Sequence, residues 1–218
     1  MLVHPWDAAT DEEWRTWLAE HNFGQLIAPG SRGGDEGDGR DLPIVVATHF
    51  VFDGASTVWL HLARPNPIWP LLEEHPRALL CVIDDYVYAP SAWQALPGTP
   101  PELGIPTSYY TTVQMECDVR IVDDPAEKAV LLNRQLGRLE PGSGRVPVSS
   151  VDDPDRRQLP GIRGIELTVT GVRAKVKYAG SKEPDHRREI ADRLAERGGR
   201  SDAAARAHLL RRLDQQSS

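Results

Sequence analysis

Residues 113–121 read Val-Gln-Met-Glu-Cys-Asp-Val-Arg-Ile, with an apolar side chain at every odd position and a polar one at every even position. Successive side chains of a β-strand point to opposite faces of its sheet. A strict period of two therefore predicts a strand that packs one face on a core and exposes the other to water.

Further strands are predicted on both sides of this one. Asp53-Gly54 predicts a turn, because Asp-Gly tolerates positive φ, and its flanking segments should pair antiparallel. The predicted strands cover residues 23–27, 42–52, 57–62, 78–83, 163–168 and 172–178. Most connections between them are short, which favours antiparallel pairing.

Helices are predicted where apolar residues recur at helical spacing behind a capping residue. The predicted helices cover residues 7–20, 67–75, 125–139, 184–197 and 202–213, and polar loops are predicted over 30–41 and 89–106. The fold class is therefore mainly β (α+β), a small antiparallel β-barrel with peripheral helices. Residues 1–182 form the predicted barrel domain, and residues 183–218 a C-terminal helical extension.

Composition excludes several classes of protein. The 218 residues are 40% hydrophobic and 26% charged, a globular balance rather than that of a disordered or fibrous chain. A net charge of −7 disfavours a protein that mainly wraps nucleic acid. No segment predicts a signal peptide or membrane span, so we expect a cytoplasmic protein. Cys81 and Cys117 fit a reducing compartment and predict small buried side chains.

Common catalytic and binding motifs are missing from the sequence. There is no His-Glu-x-x-His, and surface or core histidines are favoured over metal ligands, so no metal site is predicted. There is no Gly-x-Ser-x-Gly nucleophile elbow, and the glycines of residues 30–39 lack the strand-turn-helix context of a phosphate loop. No residue is a convincing general acid or base, so no catalytic residue is named.

Arg64 ends a predicted strand and precedes a proline-restrained helix start, in His61-Leu62-Ala63-Arg64-Pro65-Asn66-Pro67-Ile68-Trp69. An anionic ligand there would meet free backbone N–H groups and a guanidinium fork. The alternative is that Arg64 pairs with a nearby carboxylate while Trp69 fills the core. The residues alone leave both alternatives open.

Arg173, Lys175 and Lys177 form a row of cations on one face of a late predicted strand. Such a row can hold a phosphate, but it can equally protect an edge strand from aggregation, and the second alternative is favoured on the row alone.

Aromatic and hydroxyl side chains crowd the loop over 89–106 and its ends. They are Tyr86, Tyr88, Ser91, Trp93, Thr107, Ser108, Tyr109 and Tyr110. Planar groups beside hydroxyls suit a flat heteroaromatic ligand, and they equally suit a dimer interface.

Several segments, in order along the chain, resemble the PaiB-type FMN-binding negative transcriptional regulators. They are residues 61–69, Tyr88-Ala89-Pro90-Ser91 with Trp93, Ile105-Pro106-Thr107, Gly161-Ile162-Arg163-Gly164-Ile165-Glu166 and Ala174-Lys175-Val176-Lys177. The resemblance implies a split β-barrel of the pyridoxamine-phosphate-oxidase and flavin-reductase type. It also implies a homodimer with FMN in clefts formed by both subunits.

The resemblance further implies a set of flavin-site residues: His61, Leu62, Ala63, Arg64, Asn66, Thr107, Tyr109, Lys175 and Lys177. Arg64 would lie near the phosphate or ribityl chain. We therefore expect an FMN-binding protein, with flavin-dependent oxidoreductase activity as one function.

A transcriptional regulator or ligand sensor, with FMN as a structural or sensing ligand, is the alternative function. Its support in the sequence is the terminal helix pair about Gly198-Gly199, whose arginines are Arg187, Arg188, Arg193, Arg206, Arg211 and Arg212. Acids interleave with these arginines nearly one for one, which disfavours direct DNA binding.

Overall fold

The computed structural model describes residues 1–30 and 42–214, and the side chains of positions 212 and 214 are not described. The loop predicted over 30–41 lies, apart from Gly30, outside the described residues. Helices and strands otherwise follow the predicted order closely. The helices are α1 (Asp11–Ala19), α2 (Trp69–Glu74), α3 (Ser91–Gln94), α4 (Pro125–Leu139), α5 (Asp155–Gln158), α6 (Pro184–Arg197) and α7 (Asp202–Asp214).

The described strands form one sheet of seven, in the order β2-β1-β5-β6-β7-β4-β3. Their bounds are β1 (Phe23–Ala28), β2 (Ile44–His49), β3 (Val51–Phe52), β4 (Thr57–Ala63), β5 (Arg77–Ala89), β6 (Thr107–Val122) and β7 (Ile162–Lys177). β1 pairs antiparallel with β2 and β5, and β4 pairs antiparallel with β3 and β7. The prediction of an antiparallel α+β fold is confirmed. Within the described chain the sheet is open, since β2 and β3 stand at its two ends.

The predicted strand over 42–52 is divided at Phe50, whose backbone N–H bonds to the carbonyl of Asn22 at 2.8 Å. Residues before it form β2 and pair with β1, so only Val51 and Phe52 make the predicted hairpin with β4. The turn itself is as predicted. Asp53 Oδ1 accepts the backbone N–H groups of residues 55, 56 and 57, and Gly54 has φ +84°.

Other boundaries also differ from the prediction: the helix predicted over 7–20 covers Asp11–Ala19, and the strand predicted over 78–83 extends over Arg77–Ala89. The strands predicted over 163–168 and 172–178 are one continuous strand, β7, because the Thr170-Gly171 interruption of the apolar pattern does not break the backbone. The loop predicted from residue 89 is shorter, since it contains α3 and a 3₁₀ turn over Pro101–Leu103, and Tyr86 and Tyr88 lie on β5.

Residue contacts divide the chain into two compact units. The terminal unit contains residues 1–14, 83–113 and 173 onward, and the middle unit contains residues 15–82 and 114–172. The strands β5, β6 and β7 each contribute to both. The predicted division at residue 182 stays a prediction.

The terminal unit packs α6 and α7 on the ends of its strands. Its core includes Val87, Tyr109, Val176, Tyr178, Ile190, Leu194 and Leu209. The two helices are separated at Gly198, which takes the left-handed conformation (φ +61°) that ends many helices. Asp85, with φ +56°, accepts a hydrogen bond from Tyr178 on its backbone oxygen and contacts His208 of α7 through its carboxylate.

The middle unit packs α2 and α4 around its strands. Its fully buried side chains include Leu26, Leu60, Ile68, Leu71, Leu80, Met115 and Ile165. The helix α4 begins as predicted at Asp124, whose Oδ1 accepts the N–H groups of Ala126 and Glu127 at 2.9 Å. No helix among the described residues has the length and apolar character needed to cross a membrane.

Candidate functional site

Arg64 lies where β4 ends, in the middle unit. Its backbone N–H bonds to the carbonyl of Gly161, and the turn after it is held by Asn66, whose Oδ1 accepts the N–H of Ile68 at 3.1 Å. Leu62 points into the core, whereas Ala63 is exposed. Pairing of β4 with β7 therefore sets the position of the whole 61–66 segment.

The Arg64 side chain has protein partners. Its Nε donates to the carbonyl of Pro160 at 2.8 Å, and its Nη2 contacts Asp123 Oδ1 at 3.0 Å. Of the two alternatives that the sequence left open, the carboxylate pairing is present, and Trp69 is buried as that alternative expects. Nη1 makes no hydrogen bond to the described residues, so this atom is what Arg64 offers a ligand.

Asp123 also forms an ion pair with Arg163. The Arg163 guanidinium contacts Glu73 at 2.6 Å, and its central carbon lies 4.8 Å from the centroid of the Trp69 ring. The hydrogen bonds from Arg163, and then the charge and hydrogen bond of Arg64, hold the pKa of the Asp123 carboxyl below its usual range. This group therefore stays ionised and fixes both guanidinium groups.

His61 lies on the face of β4 that α4 covers. Its Nδ1 is 2.6 Å from Oε1 of Gln135, and its ring meets that of His49 edge-on at 5.3 Å between centroids. Burial, and then the neighbouring His61, lowers the pKa of His49. These two histidines fall in different predicted strands, and the sequence did not predict the contact between them. In the described part of the chain, no three His, Cys, Asp or Glu side chains are grouped to hold a metal.

Lys175 and Lys177 lie in the terminal unit, at the end of β7. Their Nζ atoms are 5.9 and 5.8 Å from the centroid of the Tyr110 ring. Lys175 is 7% exposed, which is unlike a lysine that protects an exposed edge strand. The phosphate-holding alternative stays a prediction. We call Lys175, Lys177, Thr107 and Tyr110 the lysine group.

The two amines differ in their partners. Lys175 Nζ bonds to the carbonyl of Leu2 at 3.0 Å and lies 3.8 Å from Asp7, a buried carboxylate. Lys177 Nζ donates to Thr107 Oγ1 at 3.0 Å. Burial, and then the charge of Lys175, lowers the pKa of Lys177. Keeping Lys177 charged beside Lys175 therefore costs the folded protein free energy.

Tyr109 is less accessible than the resemblance implies. Its ring is 1% exposed, and its hydroxyl accepts a hydrogen bond from Gln94 at 2.9 Å. Burial raises its pKa to about 12. Tyr110, the next residue of β6, is the ring beside the two amines. Strand parity does not single it out, because Thr107 has the parity of Tyr109 and still meets the Lys177 amine.

Asp7, the carboxylate beside Lys175, could not be predicted from the sequence. It lies in a 3₁₀ turn over Pro5–Asp7, and an antiparallel bridge between Ala8 and Lys175 brings that segment to β7. The nine residues implied by the resemblance thus fall into two sets. Residues 61–66 belong to the middle unit, and Thr107, Tyr109, Lys175 and Lys177 belong to the terminal unit.

The sequence matches the family model described as "Putative FMN-binding domain" over residues 2–171. The chain belongs to this family. The matched region includes Asp7, Arg64, Thr107 and Tyr110 and ends before Lys175. No curated protein matches the sequence significantly.

Three solved structures are similar to this chain. The FAD- and heme-binding protein of Mycobacterium smegmatis is 14% identical with a TM-score of 0.58, over 85% of this chain and 79% of that one. The flavocytochrome Anf3 of Azotobacter vinelandii is 18% identical with a TM-score of 0.56, over 79% and 70%. A conserved hypothetical protein of Mycobacterium tuberculosis is 15% identical with a TM-score of 0.52, over 81% and 90%.

At these identities the likenesses show the fold alone. The expected fold class, that of the flavin-binding split barrels, is thereby confirmed, with the described strands forming an open sheet.

Other residues singled out in the sequence are core side chains or are paired with acids. Burial raises the pKa of the Cys117 thiol to about 12, and Cys81 is also buried, so both behave as core side chains. Arg187 is fully buried and donates to the carbonyl of Leu209. Four other arginines of the terminal helices contact acids: Arg188 with Asp185, Arg193 with Glu189, Arg206 with Asp192 and Arg211 with Glu13.

Proposed function

We propose that this protein binds FMN and that the lysine group holds the phosphate of FMN. The observation that carries the proposal is the convergence of Lys175 and Lys177 on the face of Tyr110, with the Thr107 hydroxyl bonded to Lys177. Membership in the FMN-binding family and the flavoprotein neighbours support a flavin as the ligand.

The charges of the lysine group fit a phosphate. Asp7 is the carboxylate in contact with Lys175, so two amines face one acid. The lowered pKa of Lys177 reflects burial and then repulsion from Lys175, and a phosphate would relieve the repulsion. Hydrogen bonds between ammonium groups and phosphate oxygens are roughly twice as strong as neutral ones.

Thr107 supplies a donor of its own. Because its Oγ1 accepts a hydrogen bond from Lys177, its O–H remains available to donate. A phosphate oxygen would thus meet one hydroxyl and two amines held at strand ends. When bound, FMN would supply the electron-transfer chemistry, and the chain's residues would fix its position.

The residues of the 61–66 segment stay predicted flavin ligands. The resemblance implies His61, Leu62, Ala63, Arg64 and Asn66 as flavin ligands, and Nη1 of Arg64 is the guanidinium nitrogen with no hydrogen bond to the described residues. We assign no catalytic residue.

We further propose that the protein is a homodimer and a flavin-dependent oxidoreductase. Support for the dimer comes from large apolar side chains exposed in the terminal unit: Ile83, Tyr86, Tyr88, Leu96, Leu103 and Ile105. Clusters of exposed aromatic and aliphatic side chains are typical of interfaces. Support for the oxidoreductase is the flavin family alone.

The narrower assignment, to PaiB-type regulators, gains no support from the terminal helices. The Arg212 side chain lies outside the described part of the structure. Of the other five named arginines, one is buried and four are paired with acids, which leaves few described cations for DNA phosphates.

The proposal is tested by titrating the purified protein into FMN and into riboflavin and following flavin fluorescence. Riboflavin is the matched control because it lacks only the phosphate. We expect FMN to bind at least about tenfold more tightly, since several charge-assisted hydrogen bonds depend on the phosphate. Equal affinities, or no change in either spectrum, would show that the lysine group holds no phosphate.

A further inference from the structure

A cleft of 430 Å³ opens beside His61 in the middle unit. Its apolar walls are formed by Leu132 and Leu136 of α4, Val148 and Pro154 of the segment after α4, and Leu159 and Ile162 at the start of β7. We call it the His61 cleft. Clefts of about 300–1,000 Å³, mostly apolar with a few fixed polar groups, are typical of small-molecule sites.

We propose that the His61 cleft binds a neutral, apolar small molecule that donates one hydrogen bond to Nε2 of His61. The proposal does not depend on flavin binding. It rests on three features of the cleft: a fixed acceptor, fixed walls and a balanced charge at the mouth.

The acceptor is fixed by Gln135, which is 3% exposed. Its Nε2 approaches the carbonyl of Trp59 at 3.5 Å, and a flipped amide would place two oxygens against each other there. Gln135 Oε1 therefore faces His61 and accepts a hydrogen bond from its Nδ1–H. A neutral imidazole carries one N–H, so Nε2 is an acceptor. Nε2 makes no hydrogen bond to residues 1–30 or 42–214.

The walls are held by side-chain hydrogen bonds to the backbone. Asn133 binds both backbone groups of Val148, accepting its N–H at 2.7 Å and donating to its carbonyl at 3.1 Å. Lys128, 2% exposed, donates to the carbonyls of Leu159 at 2.6 Å and Ile162 at 3.2 Å. The cleft is therefore preformed, and a ligand does not lose binding free energy to ordering its walls.

The charge at the mouth is balanced. Arg145 contacts Asp155 at 2.6 Å, and the Asp155 side chain is 16% exposed. Asp155 also accepts the backbone N–H of Ser149 at 3.1 Å, which anchors the pair. With one cation and one anion in contact, the cleft favours a neutral ligand over a charged one.

The test uses 1-naphthol and 1-methoxynaphthalene, which share a ring system and differ by one O-methyl group, and of which only the first can donate a hydrogen bond. Binding is measured by isothermal titration at pH 8. We expect 1-naphthol to bind about three- to tenfold more tightly. In His61→Phe, which keeps a ring but removes the acceptor, we expect equal affinities.

Two further variants locate the binding. His49→Phe changes the neighbouring imidazole, which does not line the cleft, and should keep the preference for 1-naphthol. Leu136→Trp fills the cleft and should abolish binding of both probes. Three results would overturn the proposal: no binding, equal affinities in the native protein, or a preference that survives His61→Phe.

Discussion

Lys177 donates a hydrogen bond from Nζ to Oγ1 of Thr107, at 3.0 Å, which joins the last residue of β7 to the first residue of β6. Both side chains lie at strand ends, where the backbone is held by the sheet but the side chains can still meet a ligand. The lowered pKa of Lys177 is a consequence of this position, and it leads to a prediction about protons.

FMN binding should take up protons at alkaline pH, below the ordinary lysine pKa. A phosphate beside Lys177 favours the charged amine, so its pKa rises from the lowered value toward the ordinary lysine value near 10.4. Between those two values the complex holds more protons than the separate partners. The phosphate is fully ionised there, because its second pKa is about 6. Calorimetry in buffers of different ionisation enthalpy measures the uptake, and its absence would contradict the assignment of Lys177.

Asp123→Asn should lower stability by less than about 1 kcal/mol at neutral pH, because the carboxylate is half exposed. The pKa of Asp123 is lowered in the folded state, so its stabilisation is present above the unfolded value near 3.9 and is lost as pH falls through the folded value. The variant should therefore lose less stability than the native protein in acid. Urea unfolding at several pH values checks this, and parallel curves would refute it.

Gly164→Ala should destabilise the protein by about 1–3 kcal/mol through overpacking. Gly164 lies opposite His61 in the β4–β7 pair, and an added Cβ would lie 2.9 Å from Leu131 Cδ1 and 3.1 Å from Val122 Cβ. Gly171→Ala is the control on the same strand, since its Cβ would meet Glu116 at an ordinary 3.6 Å. Denaturant unfolding of both variants gives the comparison. Similar losses would show that crowding at residue 164 is not the cause.

Ile105→Glu should convert the proposed homodimer to monomers. Ile105 is 81% exposed in the terminal unit, and a charge at an apolar interface is costly to bury. Val151→Glu, at a 74% exposed position of the middle unit, should leave the dimer intact. Light scattering after gel filtration measures both masses. A native monomer, or an Ile105→Glu dimer, would rule out this interface.

The sequence predicted those parts of the fold that local patterns encode. Alternation over 113–121 identified β6, and Asp124 identified the start of α4, because both signals depend on neighbours in the chain. The break at Phe50 escaped prediction, since it depends on a hydrogen bond to Asn22. The continuity of β7 through Gly171 was not predicted either. There the local sequence pattern is interrupted, but pairing with neighbouring strands keeps the backbone extended.

The candidate site was predicted in part for the same reason. Lys175 and Lys177 were visible as a row on one strand face, and Arg64 as a residue at a strand end. The partners that decide their roles come from distant segments: Asp7 reaches Lys175 from the N-terminal region, and Asp123 reaches Arg64 from the end of β6. No residue spacing in the sequence predicts contacts between such distant segments.

The most direct test of the central claim is the ratio of FMN to riboflavin affinity in Lys177→Met, with Arg173→Gln as a control that removes an exposed cation of the same strand. We predict that Lys177→Met lowers FMN affinity at least about tenfold, leaves riboflavin affinity unchanged and so collapses the ratio, whereas Arg173→Gln keeps it. An unchanged ratio in Lys177→Met would contradict the claim that this amine holds the phosphate.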